Sequence, residues 1–252
     1  MFQADVIQRY LIGDLLGIGS YGIVKHCIDS ITLRRMAVKI FIAKRIRRIP
    51  NGPENILNEL KIMRKIKHDN IVKVFNITCR EEDHFMMMEL CKFNLGNVLE
   101  QLKNNRLPIT VAHHFYKHLV TGLDYLQSVK IIHMDIKPDN MLISYDNVLK
   151  MSDFGVAQQL DMFDNDDTCT RYRGCPIIQP PEVARGDDKF SGFKLDIWCS
   201  GVTLFKMLVG EYPYDAINEF QLIEKIIKGV YEIPSWLDSR TTGLLEGGVL
   251  FF

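Results

Sequence analysis

His133-Met134-Asp135-Ile136-Lys137-Pro138-Asp139-Asn140 is followed, thirteen residues after Asn140, by Asp153-Phe154-Gly155. Two carboxylates and an amide so placed can position a hydroxyl group and hold a divalent cation through hard oxygen ligands. Each stretch alone has a plainer reading, a polar turn between apolar runs. The decision comes from what flanks them.

Upstream, Gly17-Ile18-Gly19-Ser20-Tyr21-Gly22-Ile23-Val24 fits G-x-G-x-x-G-x-V. Glycines let a backbone approach phosphates with no Cβ in the way. A dinucleotide fold needs a helix directly after the last glycine, but this chain continues as strand, Ile23-Val24-Lys25-His26-Cys27-Ile28. A Walker loop needs Gly-Lys-Ser/Thr, and Gly22 is followed by Ile23. A β-hairpin folded over a nucleotide remains. Fifteen residues past Val24 lies Ala37-Val38-Lys39. A lysine inside an apolar strand is costly to bury unless paired. Glu59, on the apolar edge of the next helical run, is the expected partner, fixing the ammonium to hold two phosphate oxygens. Standing alone, the two residues would read as snorkelling surface side chains. Downstream come Pro180-Pro181-Glu182 and Asp196-Ile197-Trp198-Cys199-Ser200-Gly201. Five ordered motifs at compatible spacings are far more specific than any one of them.

The rest of the chain fits that frame. Residues 11–24, 28–42, 71–78 and 85–90 are strand-like. Residues 54–66 change period: Ile56, Leu60, Met63 and Lys67 share a helical face, with Leu57 beside it. Residues 94–104, 109–129, 196–209 and 218–228 read as helices, the third apolar enough to be buried. Strands followed by helices predict an α+β, bilobal architecture. The expected divisions are a nucleotide-binding lobe at 1–91, a catalytic lobe at 92–234 and a tail at 235–252.

Composition narrows the function classes. The 252 residues carry 31 Lys plus Arg against 31 Asp plus Glu, with 47% apolar residues. That balance argues against a disordered chain or a strongly basic nucleic-acid binder. No apolar run reaches the ~18 residues of a membrane span, and the start MFQADVIQRY lacks the features of a signal peptide. The expectation is a soluble intracellular protein with no nucleic-acid partner and no membrane span. Basic residues cluster between Arg34 and Lys73, and acids between Asp161 and Asp167; the basic cluster reads as a solvated strand–helix connection. The six cysteines have no C-x-x-C spacing and read as reduced thiols. Cys169 and Cys175 sit in a polar segment expected to be mobile. His114 and His118 have helical metal-pair spacing but no third ligand and no H-E-x-x-H.

With these motifs in place, the chain resembles a eukaryotic protein kinase, and Lys137 two residues after Asp135 matches the serine/threonine class. Gly13-Asp14-Leu15-Leu16, Arg47-Arg48-Ile49-Pro50-Asn51-Gly52, Asp166-Asp167-Thr168-Cys169, Gln179-Pro180-Pro181-Glu182 and Ser191-Gly192-Phe193-Lys194 resemble the liver kinase B (Peutz–Jeghers tumour-suppressor, partitioning-defective) family over residues 7–234. The resemblance implies ATP with Mg²⁺ or Mn²⁺. It implies that Gly17, Gly19, Ser20 and Gly22 cover the phosphates, with Leu16, Val24, Ala37 and Leu142 around the adenine. Lys39, braced by Glu59, would hold the α- and β-phosphates. Met88 would be the gatekeeper, with Glu89 to Cys91 as hinge. Asp135 would take the substrate hydroxyl, Lys137 the γ-phosphate charge, and Asn140 and Asp153 the metal. The resemblance also implies substrates among activation loops of AMP-activated and related kinases, a STRAD-type pseudokinase and an armadillo-like scaffold as activating partners, and location in cytoplasm and nucleus.

Three departures stand out. Met134 replaces the basic residue expected there, so it cannot pair with a phosphate on the segment 153–182. Phe154 replaces an expected Leu, a mild change. After Pro234 the chain leaves the family pattern. Its three glycines are expected to break any helix there. The expectation is a large lobe missing its last helices, with an unpaired, buried Glu182 and an exposed apolar face. A catalytically weak, kinase-like binding module is therefore the alternative reading.

Overall fold

The computed structural model describes residues 5–247 apart from residues 20, 162, 164 and 165. Ser20 thus lies outside the described residues.

Six strands form one antiparallel sheet in the order β1-β2-β3-β4-β6-β5. They are β1 (Asp5–Ile7), β2 (Tyr10–Ile18), β3 (Gly22–Asp29), β4 (Arg35–Phe41), β5 (Val74–Arg80) and β6 (Asp83–Met88). The strand run at 11–24 is broken by the glycine-rich turn between β2 and β3. Alternation then sorts the side chains. Met36, Val38 and Ile40 of β4, with Phe85 and Met87 of β6, pack one small core with Tyr10 and Ile12. Ala37, Phe41, Met86 and Met88 point the other way, into the main core. Lys39 falls between Ala37 and Phe41 on that second face.

A single turn, α1 (Ala43–Ile46), leads to α2 (Gly52–Lys65), which covers this face. Ile56, Leu60 and Met63 are buried as their spacing predicts, joined by Asn55, Glu59 and Ile62. Leu57, beside that face, is 60% exposed. Lys67 lies beyond the end of the helix and is exposed.

The remainder is mainly helical: α3 (Leu95–Gln101), α4 (Ile109–Ser128), α5 (Pro181–Arg185), α6 (Gly192–Val209), α7 (Glu219–Lys228) and α8 (Ser239–Gly247). Short ladders connect them: β7 (Phe93–Asn94) and β10 (Leu149–Met151) flank β9 (Met141–Ile143), β8 (Ile131–Ile132) pairs with β11 (Gln158–Gln159), and β12 (Thr168–Cys169) with β13 (Phe190–Ser191). The centre is α6. Ser191 caps its start by accepting from the Lys194 N–H at 3.2 Å. Gly210 ends it at φ +91°, where a Cβ would stand 2.1 Å from the Asn104 carbonyl oxygen, so only glycine fits. Leu195, Cys199, Val202 and Met207 are completely buried.

The tail departs from expectation. Residues 239–247 are helical despite Gly243 and Gly247. Asp238 Oδ1 accepts from the Arg240 and Thr241 N–H groups at 2.9 and 3.0 Å, and Leu245 is fully buried. An N-cap contributes about 1 kcal/mol, and a buried leucine about 2 kcal/mol. Together they outweigh the roughly 1 kcal/mol that an interior glycine costs. Glu182 is also not buried: it is half-exposed on the first turn of α5, so the penalty of a buried lone charge does not apply. It forms no ion pair among the described residues. Exposed apolar side chains do occur in this part, at Ile217, Phe220 and Val230 (96, 71 and 78% exposed), on and beside α7 rather than on α6. No helix among the described residues is long and apolar enough to cross a membrane.

Candidate active site

Strand register assembles the roof of a cleft. Gly17 pairs with Val24 and Val24 with Lys39, while Ala37 pairs with Met88. A Cβ at Gly22 would stand 1.8 Å from the Ile40 carbonyl oxygen, so that glycine is required by the sheet. Gly17 and Gly19 differ: a Cβ at either meets nothing within 4 Å. The chain itself does not need those two glycines, and the space beside them suits phosphate groups approaching the backbone. Leu16 is 45% exposed at the rim. Val24 and Leu142 are partly buried against the main core.

Below the roof, Lys39 Nζ meets Glu59 Oε1 at 2.6 Å and Asp153 Oδ1 at 2.9 Å. Glu59 was the expected partner; Asp153 was not expected to reach Lys39. Burial pulls the Lys39 ammonium down, but Asp153 and Glu59 outweigh it and hold its pKa above the ordinary lysine value. Lys39 in turn holds the Asp153 carboxyl below its usual range, against a smaller opposing effect of partial desolvation. Burial pushes Glu59 upward against the pull of Lys39. The second Glu59 oxygen, Oε2, is buried without a hydrogen-bond partner.

At the cleft edge the Glu89 N–H donates to the Lys73 carbonyl at 2.8 Å. The Glu89 carboxylate takes Lys150 Nζ at 3.1 Å, so that side chain points to the back of the hinge. Burial, then the nearby Glu89, push the Cys91 thiol up to about 12. It is an inert, partly buried residue.

The catalytic-loop candidates converge on Asp135. Its Oδ2 accepts from Asn140 Nδ2 at 2.7 Å and from Lys137 Nζ at 2.9 Å. Its Oδ1 accepts from the Cys175 N–H at 3.1 Å. Asn140 Nδ2 also donates to the Asp135 carbonyl at 2.8 Å. Both amide hydrogens of Asn140 are thereby engaged, and its Oδ1 is left for another partner. That oxygen and the Asp153 carboxylate, half-exposed at 50%, make a hard-oxygen donor set that fits Mg²⁺ or Mn²⁺.

Buried side chains behind Asp135 aim the loop. Asp196, 4% exposed, accepts from the His133 and Met134 N–H groups at 2.7 and 2.8 Å. Burial pushes its carboxyl up to about 7, and the two N–H donors pull it back toward the ionised form. Met134 adopts φ +66° and Asp153 φ +62°, conformations rare for non-glycine residues. His133 Nδ1 accepts from the Asp135 N–H at 3.3 Å and its Nε2 faces the Ser152 carbonyl at 3.1 Å. Phe154 is fully buried, its ring 4.6 Å from that of His133. The sequence motif contained Asp196 without showing its role, since its partners are 62 and 63 residues away.

Cys169 is 1% exposed on β12, and Thr168 is bound through its hydroxyl to Asp166. His114 and His118 are not gathered into a metal-holding group among the described residues; His118 Nδ1 accepts the Leu149 N–H at 3.2 Å.

Comparison with known proteins agrees with this geometry. The chain is 44% identical over 247 residues to serine/threonine-protein kinase STK11 of Homo sapiens, which covers 97% of this chain and 57% of the relative. It is 38% identical to the stk11 homolog of Dictyostelium discoideum, covering 96% of this chain and 42% of that one. It is 40% identical to serine/threonine-protein kinase par-4 of Caenorhabditis elegans, covering 91% and 38%. The chain spans little more than half the length of the first of these. The protein kinase domain matches residues 10–243, and with the cleft, the Lys39 bridges and the Asp135 cluster already in hand, the chain belongs to the protein kinase domain family.

Proposed function

We propose that the chain is an ATP-dependent serine/threonine protein kinase. The observation that carries this is Lys39 Nζ bonded at once to Glu59 on α2 and to Asp153 ahead of Phe154-Gly155. Asp153 lies 114 residues from Lys39 in the sequence, and its meeting with the Lys39–Glu59 pair aligns the roof and floor of the cleft. On this reading residues up to 91 bind the nucleotide and those from 92 carry the transfer.

The residue roles are those that the family resemblance implies, and the geometry is compatible with them. Gly17, Gly19 and Gly22 lie over the phosphates, with Leu16, Val24, Ala37 and Leu142 against adenine. Met88 closes the back of the pocket, and the backbone of Glu89 to Cys91 meets the adenine edge. Lys39 binds α- and β-phosphate oxygens. Asn140 and Asp153 would hold the divalent cation, which would supply neutralisation of phosphate charge. The substrate hydroxyl oxygen forms the new bond to the γ-phosphorus as the bond to the β-phosphate oxygen breaks, and Asp135 orients the hydroxyl and takes its proton. Three donors already fix Asp135, yet a carboxylate has about four acceptor positions, so one remains for the hydroxyl. Lys137, held against Asp135, faces the charge of the transferred group. Little covalent work falls on the protein; positioning and charge neutralisation supply the rate.

Similarity to STK11 and par-4 supports a master upstream role toward AMP-activated-kinase-type substrates in growth, energy and polarity signalling. The same similarity supports activation by a STRAD-type pseudokinase with an armadillo-like scaffold, and a location in cytoplasm and nucleus. The test is a thermal-shift titration with Mg·ATP beside a γ-phosphate transfer assay on a serine/threonine peptide mixture. A nucleotide-dependent shift with turnover supports the proposal. A shift without turnover makes the chain a kinase-like binding module, and no shift overturns the nucleotide site.

A further inference from the structure

Inside the glycine-rich turn the Gly19 N–H donates to the Gly22 carbonyl at 2.9 Å and the Gly22 N–H to the Gly19 carbonyl at 3.4 Å. The tip of the turn is tied by the Ile42 N–H to the Tyr21 carbonyl at 3.0 Å and by Arg45 Nη1 to the Gly22 carbonyl at 3.3 Å. One more tether comes from elsewhere. The Tyr21 hydroxyl accepts from Asn55 Nδ2 at 3.2 Å. Asn55, 9% exposed on the first turns of α2, lies one turn before Glu59 on the same face. Its other end, Oδ1, accepts from Arg173 Nη1 at 3.4 Å. A buried amide needs partners at both ends, so the two bonds support each other. Tyr21 also lies along the start of the segment: a Cβ at Gly155 would stand 3.7 Å from its Cε2.

Residues beside Arg173 reach the opposite way. The Tyr172 hydroxyl donates to the Cys175 carbonyl at 2.7 Å, and the Cys175 N–H donates to Asp135. Residues 172–175 therefore touch Asp135 on one side and, through Asn55, the tip of the glycine-rich turn on the other.

We propose that Arg173 and Asn55 are positioning residues that hold Tyr21, and with it the glycine-rich turn, closed over the nucleotide site. The relay couples the segment bearing Arg173 to the roof through side chains alone and needs no phosphate. Its kinetic consequences rest on the kinase reading; its structural consequence does not.

Two readouts test it on the full chain. By hydrogen–deuterium exchange, Arg173→Leu should speed exchange at residues 21–24 several-fold, although Arg173 is exposed and distant in sequence. Asn55→Leu should do the same, and Asn55→Asp, which still accepts from both sides, should stay near wild type. In kinetics, Arg173→Leu should raise the KM for ATP about fivefold to tenfold, the loss of one net hydrogen bond, with kcat within about twofold. Arg173→Lys should recover part of that loss. Tyr21→Phe should match Arg173→Leu, and the double variant should be no worse than either single. Unchanged exchange at residues 21–24 in Arg173→Leu overturns the relay, as does a double variant whose effects multiply. If the wild-type chain shows no turnover, the kinase reading fails separately and the exchange measurement alone decides the relay.

Discussion

Removing the Glu59 carboxylate gives the sharpest test of the site, because the structure sets its size. Glu59 is 1% exposed and bonds Lys39 Nζ at 2.6 Å; Lys39 is 18% exposed and retains Asp153 at 2.9 Å. Breaking a buried pair by deleting one partner typically costs about 3–5 kcal/mol. Here the remaining carboxylate keeps the ammonium compensated, which places Glu59→Ala at the lower end, about 3 kcal/mol. Glu59→Gln keeps an oxygen acceptor, so a charge-assisted bond falls to a neutral one, at about 1 kcal/mol. For a chain of this length each kcal/mol is about 2–4 °C in Tm. The expected order is wild type, then Gln lower by about 2–4 °C, then Ala lower by about 6–12 °C. Without Glu59 the ammonium is held by Asp153 alone and drawn toward the metal side of the cleft, so the Mg·ATP-dependent shift should shrink in the same order. Thermal denaturation with and without Mg·ATP measures both effects. An alanine variant as stable as wild type, or a glutamine variant worse than alanine, would refute the reasoning.

Further outcomes follow from the supporting residues. Asp196→Asn leaves one acceptor for two backbone N–H groups and turns a donor toward the other; it should cost about 3 kcal/mol in denaturation and slow transfer by misaiming Asp135. Burial lowers the His133 pKa from the ordinary 6.5, so its contribution is present above that pH and lost as pH falls, because the unfolded chain takes up the proton first. Between pH 6.5 and 5.5, wild type should lose more stability than His133→Gln, read from paired denaturation curves. Phosphorylation at Thr168 should not activate, since its hydroxyl is bound to Asp166 and Met134 offers the phosphate no cation; a severalfold rise in rate would contradict this.

Much of the site was legible because phosphate chemistry fixes residue types at fixed spacings. Lys39 and Glu59, only 20 residues apart, could be paired from strand alternation and helical period. The Asp153 contact, across 114 residues, leaves no local trace, nor do the Asp196 bonds or the Arg173–Asn55–Tyr21 relay. The helix at 239–247 was misread because counting glycines weighs propensity alone, while the Asp238 cap and the burial of Leu245 decide it. The basic run 34–73 loses its unity in the fold: Lys39 turns into the cleft, Arg45 binds the Gly22 carbonyl and Arg47 pairs with Glu82.

On the proposed function, Asp135 and Asp153 carry phosphoryl transfer from ATP. Transfer of labelled γ-phosphate to serine/threonine peptides, measured for wild type, Asp135→Asn and Asp153→Ala at matched folded concentrations, tests it most directly. Turnover by wild type, abolished in both variants, is predicted; an unchanged rate in Asp153→Ala would contradict it.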